Sequence, residues 1–327
     1  MAGQTFGISR QSIAKHLGIL VDQGLLNAKG QSRGREYHLR STCNQSFELE
    51  VAPGLQENQV WRQKMAPFFV GVTDTVKEIC QYGFTEMLNN VMAHSQSPVA
   101  LISIQFNAVN IRMMVADTGI GIFNKIRQEF GMDDDRHSLL ELSKGKLTSR
   151  PESLTGEGLF FTSWMFDRFS ILSGGLFFRR SSGQDGWVQE RWGIEVEEID
   201  QVAGTAVFMD IHPACKRTVQ QVLDRHSGDG GGLGFNSTCV PVMLAKYDGE
   251  QLVSRSQAKR LLARLDRFTE VYLDFQGVAT LGQSFADEIF RVYACQHPEI
   301  RLHWINTEAA VTQMIQWVRT NSVAGIQ

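Results

Sequence analysis

Glu86, Asn90 and His94 stand four residues apart in FTEMLNNVMAHS (residues 84–95). On a helix that spacing places all three on one face. A carboxylate and an amide one turn apart can hold Mg²⁺ through oxygen and bound water, and Mg²⁺ in turn bridges phosphates; the same residues also suit a solvated helix face. A second set is VADTGIGI (115–122), where Asp117 precedes Gly119 and Gly121. An aspartate at a strand end can accept a hydrogen bond from an exocyclic amine, and glycines let backbone approach a flat base. A third, LTGEGLFFTSWMFDRF (154–169), opens a helix with Gly156, Glu157 and Gly158. Free N–H groups at such a helix start suit phosphate. The segment lacks the Lys-Ser/Thr of a P-loop. The fourth is AGTAVFMDI (203–211), where Thr205 either bonds a base or the aspartate, or only edges its strand.

The elements that must position these residues are legible around them. Phe84, Leu88, Val91 and Met92 form an apolar stripe at helical spacing, and IRMMVA reads as a strand running into Asp117. Alternating strand and helix patterns fill residues 60–213. The glycine-rich run SGDGGGLG (227–234) reads as a linker. Beyond it, residues 235–327 read strand, helix, strand, helix, strand, helix. There Leu261, Leu262 and Leu265 mark a helix, VYLDF a buried strand, and Ser284 the cap of the helix SFADEIFRVY, with Asp287 and Glu288 in its first turn.

Residues 1–41 differ in charge. Arg10, Lys15, Lys29, Arg33, Arg35 and Arg40 face only Asp22 and Glu36. Ser9 caps a helix on which Ile13, Leu17 and Leu20 recur, and Arg10, Gln11, Ser12 and Lys15 lie where base edges and phosphates would be read. LLNAKGQSRGREYHL then reads as a hairpin with Arg33 and Arg35 at its tip, suited to phosphate contacts.

Composition narrows the classes. The 327 residues are 43% hydrophobic and 20% charged with a net charge of −3, which excludes a wholly basic nucleic-acid binder but leaves room for a local basic patch. No run of ~18 apolar residues suggests a membrane span, and no charged-then-apolar start suggests secretion. The five cysteines, Cys43, Cys80, Cys215, Cys239 and Cys295, are scattered and form no CxxC pair, so the expectation is idle thiols in a reducing cytoplasm.

Each of the four motifs is common alone; their order is not. Glu-x3-Asn-x3-His, then Asp-x-Gly-x-Gly, then Gly-x-Gly-Leu, then Gly-Thr resembles the GHKL ATPase superfamily of histidine kinases, gyrase, Hsp90 and MutL. The resemblance implies an α/β (α+β) fold class: a GHKL α/β sandwich with a mixed, mostly antiparallel sheet under helices. It implies ATP and Mg²⁺ as ligands. Asn90 would hold the metal, Glu86 would polarise water or a hydroxyl, Asp117 would recognise adenine, and Gly119 and Gly121 would line the base. Gly156, Glu157 and Gly158 would meet the phosphates. Residues 123–153 would form a mobile lid, with Lys144, Lys146 and Arg150 either touching phosphate or facing solvent. No helix with its own phospho-accepting histidine precedes residue 84, so the closer likeness is to anti-sigma serine kinases, whose N box has the same spacing.

The N-terminal segment resembles the recognition helix and wing of winged helix-turn-helix regulators. Such domains begin with one or two further helices, and only six residues precede Gly7, so the expectation is a partial module here, with either the true start upstream or the module a remnant; it either contacts DNA or packs on its neighbour. The C-terminal segment is similar to STAS-like domains. That likeness lays Ser284 on the serine that anti-anti-sigma factors have phosphorylated, although Gly282-Gln283-Ser284-Phe285 departs from the usual Asp-Ser-Ser/Thr-Gly. Ser284 is therefore either a phosphosite or a helix cap.

The expectation is a cytoplasmic ATP-binding regulator whose pocket controls a DNA- or partner-binding output through the STAS-like region. The alternatives are a serine kinase acting on Ser284 or a STAS partner, and an interaction module with a degenerate pocket. A homodimer is compatible with each, and no dimer contact is marked in the sequence.

Overall fold

A computed structural model describes residues 9–31, 34–147, 155–182, 192–226, 235–247 and 249–323. The linker 227–234, Arg33 and Arg150 lie outside the described residues.

The first element is helix α1 (Arg10–Asp22), capped as expected: Ser9 Oγ accepts a hydrogen bond from Ser12 N at 3.2 Å. It leads into an antiparallel hairpin of β1 (Leu26–Lys29) and β2 (Glu36–Leu39), paired from Leu26–Leu39 to Lys29–Glu36. No residue of α1 is fully buried.

A five-stranded sheet follows, in the order β3-β4-β5-β7-β6, with every pairing antiparallel. Its edge strand β3 (Cys43–Glu50) lies ahead of residue 60, so the sheet begins earlier than the sequence pattern suggests. β3 is mostly exposed and polar, with Phe47 and Leu49 turned partly inward, and only its register against β4 (Val99–Phe106) identifies it. Between them runs α2 (Asp74–Asn90), which buries Val76, Ile79, Cys80, Phe84, Met87 and Leu88. Gly83 brings α2 close to the layer below: a Cβ there would lie 2.5 Å from the Phe166 ring. β4 alternates buried and open positions, and β5 (Ile111–Asp117) buries Ile111, Met113 and Val115. Such alternation marks an antiparallel sheet packed on one face only. The inner face meets α2.

The chain then forms α3 (Ile122–Phe130), α4 (Asp135–Lys144) and α5 (Thr155–Met165) before β6 (Arg168–Ser182) and β7 (Trp192–Ile211) complete the sheet. The short α6 (Val219–Arg225) carries a full capping box between Thr218 and Gln221.

The third sheet is parallel, ordered β10-β9-β8, from β8 (Ser237–Pro241), β9 (Glu270–Asp274) and β10 (Arg301–Ile305). Its helices are α7 (Arg255–Leu262), with a second capping box at Ser254–Gln257; α8 (Gln283–Asp287), which runs on through a π-helical stretch at Glu288–Tyr293; and α9 (Ala309–Val323). The fold class is α+β. No helix among the described residues is long and apolar enough to cross a membrane.

Residues 135–146 depart from the expectation of a mobile lid. α4 is buried from Ser138 to Lys144 because β8 packs on it, and Thr238 Oγ1 donates to Lys144 O at 2.8 Å. The Lys144 ammonium, 2% exposed, is consumed in this junction rather than held for a ligand. It binds Glu141 Oε1 at 2.5 Å and donates to Ala263 O at 2.7 Å, at the C-terminal end of α7. A cation is favoured there because the last carbonyls of a helix lack partners and carry the negative end of its dipole. Lys146 donates to Arg267 O at 2.8 Å and lies over the Phe268 ring.

The same junction buries His226 among aromatic rings. Phe160 and Trp164 of α5 lie 5.0 and 5.1 Å away by ring centroid, and Phe235 lies 6.0 Å away. Burial, helped by the Arg180 charge, pushes the imidazole down to about 3 from its ordinary 6.5. The unfolded chain therefore binds a proton below pH 6.5 that the folded protein refuses until about pH 3. The stability contributed by the neutral ring is complete above pH 6.5 and is lost as pH falls through that window. In urea titrations from pH 7 to 4, His226→Phe is expected to remove up to ~1.4 kcal/mol per pH unit from the acid-side slope. Parallel curves for the two proteins would show that His226 is not the group responsible.

Candidate functional site

One cleft opens between the end of α2, the end of β5, the middle of β7, and α3. Counted with its open mouth it spans about 900 Å³, of which about 120 Å³ is room for the centres of water-sized molecules. Asn90, Val91, His94 and Ser95 line one wall. Regular α-helix stops at Asn90, and Val91–Ser95 turns as a π-helix, a form often found at functional sites. Asp117 and Thr205 line the floor, and Gly121, Lys125 and Glu129 the opposite side. Leu142 and Leu147, flanking the helix end that grips α7, close the cleft together with Leu159 of α5.

The floor is built by close backbone approach. Asp117 and Thr205 are directly paired across β5 and β7. Gly204 has φ +75, and a Cβ on it would stand 2.0 Å from Asp117 O. A Cβ on Gly119 would stand 1.9 Å from Ser95 O, the same oxygen that accepts Ile120 N at 2.9 Å. The turn after Asp117 is thus pressed against the π-turn that carries His94 and Ser95. Gly121, at φ +80, starts α3.

Asp117 is 8% exposed. Burial raises its carboxyl above the usual range, while N–H donors from Gly119 (2.8 Å) and Thr205 work in the opposite direction. A carboxylate with backbone donors on one side keeps lone pairs for a donor arriving from the cleft. Thr205 is more committed than its position suggests. Its hydroxyl accepts Ile122 N at 2.9 Å and contacts Ser173 Oγ at 3.1 Å. Ser173 donates its own proton to Gly204 O at 2.8 Å, so Thr205 is the donor in their contact, which leaves it only acceptor capacity toward a ligand. Ser173 was not marked by the sequence; its one signal is a small polar residue interrupting β6 just before Gly174-Gly175.

Glu86 does not line the cleft. It lies half-buried under α5, where a Cβ on Gly158 would stand 1.8 Å from Glu86 Oε2. Burial raises its carboxyl, with Glu57 adding to the effect. Burial also raises Glu157, against the pull of Lys146. Tyr82 is driven upward by burial and then by both carboxylates, so Glu86 and Glu157 face a common region at the start of α5. Gly156 falls within α5, and its immediate surroundings lie outside what is described.

The remaining residues singled out by sequence lie elsewhere. On α1, Arg10, Gln11 and Lys15 are exposed and Ser12 is half-buried. Arg35 is exposed, with its guanidinium over the Tyr37 ring at 5.4 Å. Ser284 is exposed but is not the cap of α8: Gly282 holds that position, and Ser284 is the second helical residue. Leu252 O accepts Gly282 N, and the helix starts two positions earlier than the residue types suggest. Asp287 is not in a first turn; it pairs with Arg291 and Arg255.

Fold and cleft together define an α+β protein with an open cleft on its antiparallel half. Residues 257–312, on its parallel half, match the family described as a STAS-like domain of unknown function (DUF4325). No curated protein matches the chain.

Because the floor depends on a missing Cβ, Gly119→Ala is expected to destabilise the protein by ~1–3 kcal/mol in urea unfolding, the usual range for forced overpacking. A change below ~0.5 kcal/mol would mean that the turn relaxes away from Ser95 at little cost.

Proposed function

We propose that the cleft binds ATP with its Mg²⁺ and that the bound nucleotide controls what the two ends of the chain contact. The observation that carries this reading is the meeting of Asn90, Asp117, Gly121 and Thr205, from separate segments, on one cleft. The GHKL resemblance assigns Asn90, Asp117 and Gly121 to metal, adenine and base, and Thr205 stands beside them on the floor. Asp117 would accept the adenine amine. Gly119 and Gly121 would let the base lie against backbone. The amides at Gly156, Glu157 and Gly158 would meet phosphate, with Glu86 beside them to polarise water or a hydroxyl.

Mg²⁺ would arrive with the nucleotide. Among the described residues no three His, Cys, Asp or Glu side chains are grouped to hold a metal alone. An amide oxygen from Asn90, phosphate oxygens and retained waters would give Mg²⁺ the all-oxygen shell it takes, with no protein cage needed.

The output follows from α4. Leu142 and Leu147 touch the cleft, while Glu141 and Lys144 hold α7 of the STAS-like region. A ligand that favours one setting of α4 would shift that region with it. The exposed Arg10, Gln11 and Lys15, with Ser12, Arg33 and Arg35, would supply a DNA-facing surface, and the STAS-like region a protein-binding one.

Calorimetric titration tests the reading. Asp117→Asn and Asn90→Ala are each expected to weaken Mg·ATP binding at least ~10-fold, the scale of one lost charged hydrogen bond. Unchanged affinity in both would overturn it.

A second reading, a serine kinase of anti-sigma type, is favoured by the exposed Ser284, whose hydroxyl makes no hydrogen bond among the described residues. Incubation with Mg·ATP followed by mass spectrometry should then find phosphoserine at residue 284 and none in Ser284→Ala. Absence of phosphate on the chain and on an added STAS partner would rule this reading out.

A further inference from the structure

Three cations of the region between Asp117 and the start of α5 are spoken for. Lys144 and Lys146 are tied to carbonyls of the C-terminal region. Arg127 donates to Asn124 Oδ1 at 2.9 Å and faces Asp135 at 3.8 Å. Lys125 is different. It lines the cleft, is half-buried, and among the described residues its ammonium makes no hydrogen bond or ion pair.

Its position on α3 explains why. Phe123 is buried and fastens the helix to the protein, while Ile122, Lys125, Ile126 and Glu129 line the cleft. Glu129, one turn further on, also lines the cleft but does not approach Lys125 to ion-pair distance. An ammonium on the cleft wall with no counter-charge is available to pair with an arriving anion.

We infer that Lys125 is the cleft residue that selects a phosphorylated ligand, by pairing with the phosphate chain of a nucleotide whose base reaches Asp117. The inference rests on the ATP reading and assigns the phosphate contact to a residue that the motifs do not include. The spacing suits it. Lys125 stands four residues beyond Gly121, ~6 Å further along the helix axis. An adenine held at Asp117 and Gly121, with its sugar and phosphates running along α3, would bring the phosphates to this ammonium. Glu129 beyond it sets a limit, because a carboxylate at the mouth repels an anion that overshoots Lys125.

The test compares adenosine, ADP, ATP and inorganic tripolyphosphate on the full chain and on Lys125→Ala and Lys125→Arg. Lys125→Ala is expected to weaken ADP and ATP about 10-fold, the scale of a charge-assisted contact, and to leave adenosine within about twofold. Lys125→Arg should restore most of the loss, and the salt dependence of ATP binding should be shallower in the alanine variant. Equal losses for adenosine and ATP, or no loss for either, would overturn the inference. Tripolyphosphate separates it from the reading beneath it. If the unaltered chain binds no adenine compound, the ATP reading fails. The lysine site then stands if tripolyphosphate binds and Lys125→Ala abolishes that binding, and falls if tripolyphosphate does not bind.

Discussion

Backbone lies against backbone at Gly119 and Gly204, and the geometry of the cleft depends on it. Ser95 O, the turn after Asp117 and the strand entering Thr205 meet within a space that two Cβ atoms would fill. That contact sets three distant parts of the chain in fixed relation: the end of α2, the end of β5 and the middle of β7. It also decides where Asp117 points, since the residue lies between Gly119 N and Thr205 N, which both donate to its carboxylate. Ser173 and Thr205 then tie the first turn of α3 to the same floor through Ile122 N. The floor of the cleft is therefore fixed by contacts within the fold itself.

A second constraint joins the halves of the molecule. Lys144 is buried with Glu141 and completes the hydrogen bonding at the C-terminal end of α7, while Arg264 approaches Glu141 from the other side at 3.5 Å. Buried charges of this kind contribute little net stability, but removing one partner strands the other, so the arrangement enforces a single docking geometry. The Tyr247 hydroxyl donates to Asp134, which caps α4, and Arg260 donates to Tyr247 at 2.9 Å. Both ends of α4 are thus held by the C-terminal region. On the far side of α5, Arg180 lies over Trp164 at 4.1 Å and donates to Ser163 Oγ. Its guanidinium, lowered to about 10 by burial, senses Asp274 at the end of β9.

These two constraints meet in α4 and the residues just beyond it. One side carries Leu142 and Leu147 at the cleft; the other carries the ions that grip α7. A segment that the motifs mark as a lid is, from Ser138 to Lys146, the packing surface of the STAS-like region. Any ligand-dependent movement there must move both surfaces together, because a close-packed junction shifts between discrete arrangements rather than deforming smoothly.

What the sequence by itself determined is local. The Ser9 cap, the hairpin of residues 26–39, the Phe84–Leu88 stripe and the strand running into Asp117 all follow from spacing and residue type, and the structure has each of them. The strand–helix alternation beyond residue 235 carries the STAS-like pattern in the same way. The tertiary structure alone decided the rest. It sent Lys144 and Lys146 away from the cleft, left Lys125 facing it, and set Glu86 beneath Gly158. It spent the Thr205 hydroxyl on Ser173, and it gave the α8 cap to Gly282. In each case the deciding partner stands dozens to more than a hundred residues away, or is a backbone atom whose position no side-chain pattern encodes. Periodicity records which face of an element is buried; it does not record what that face meets.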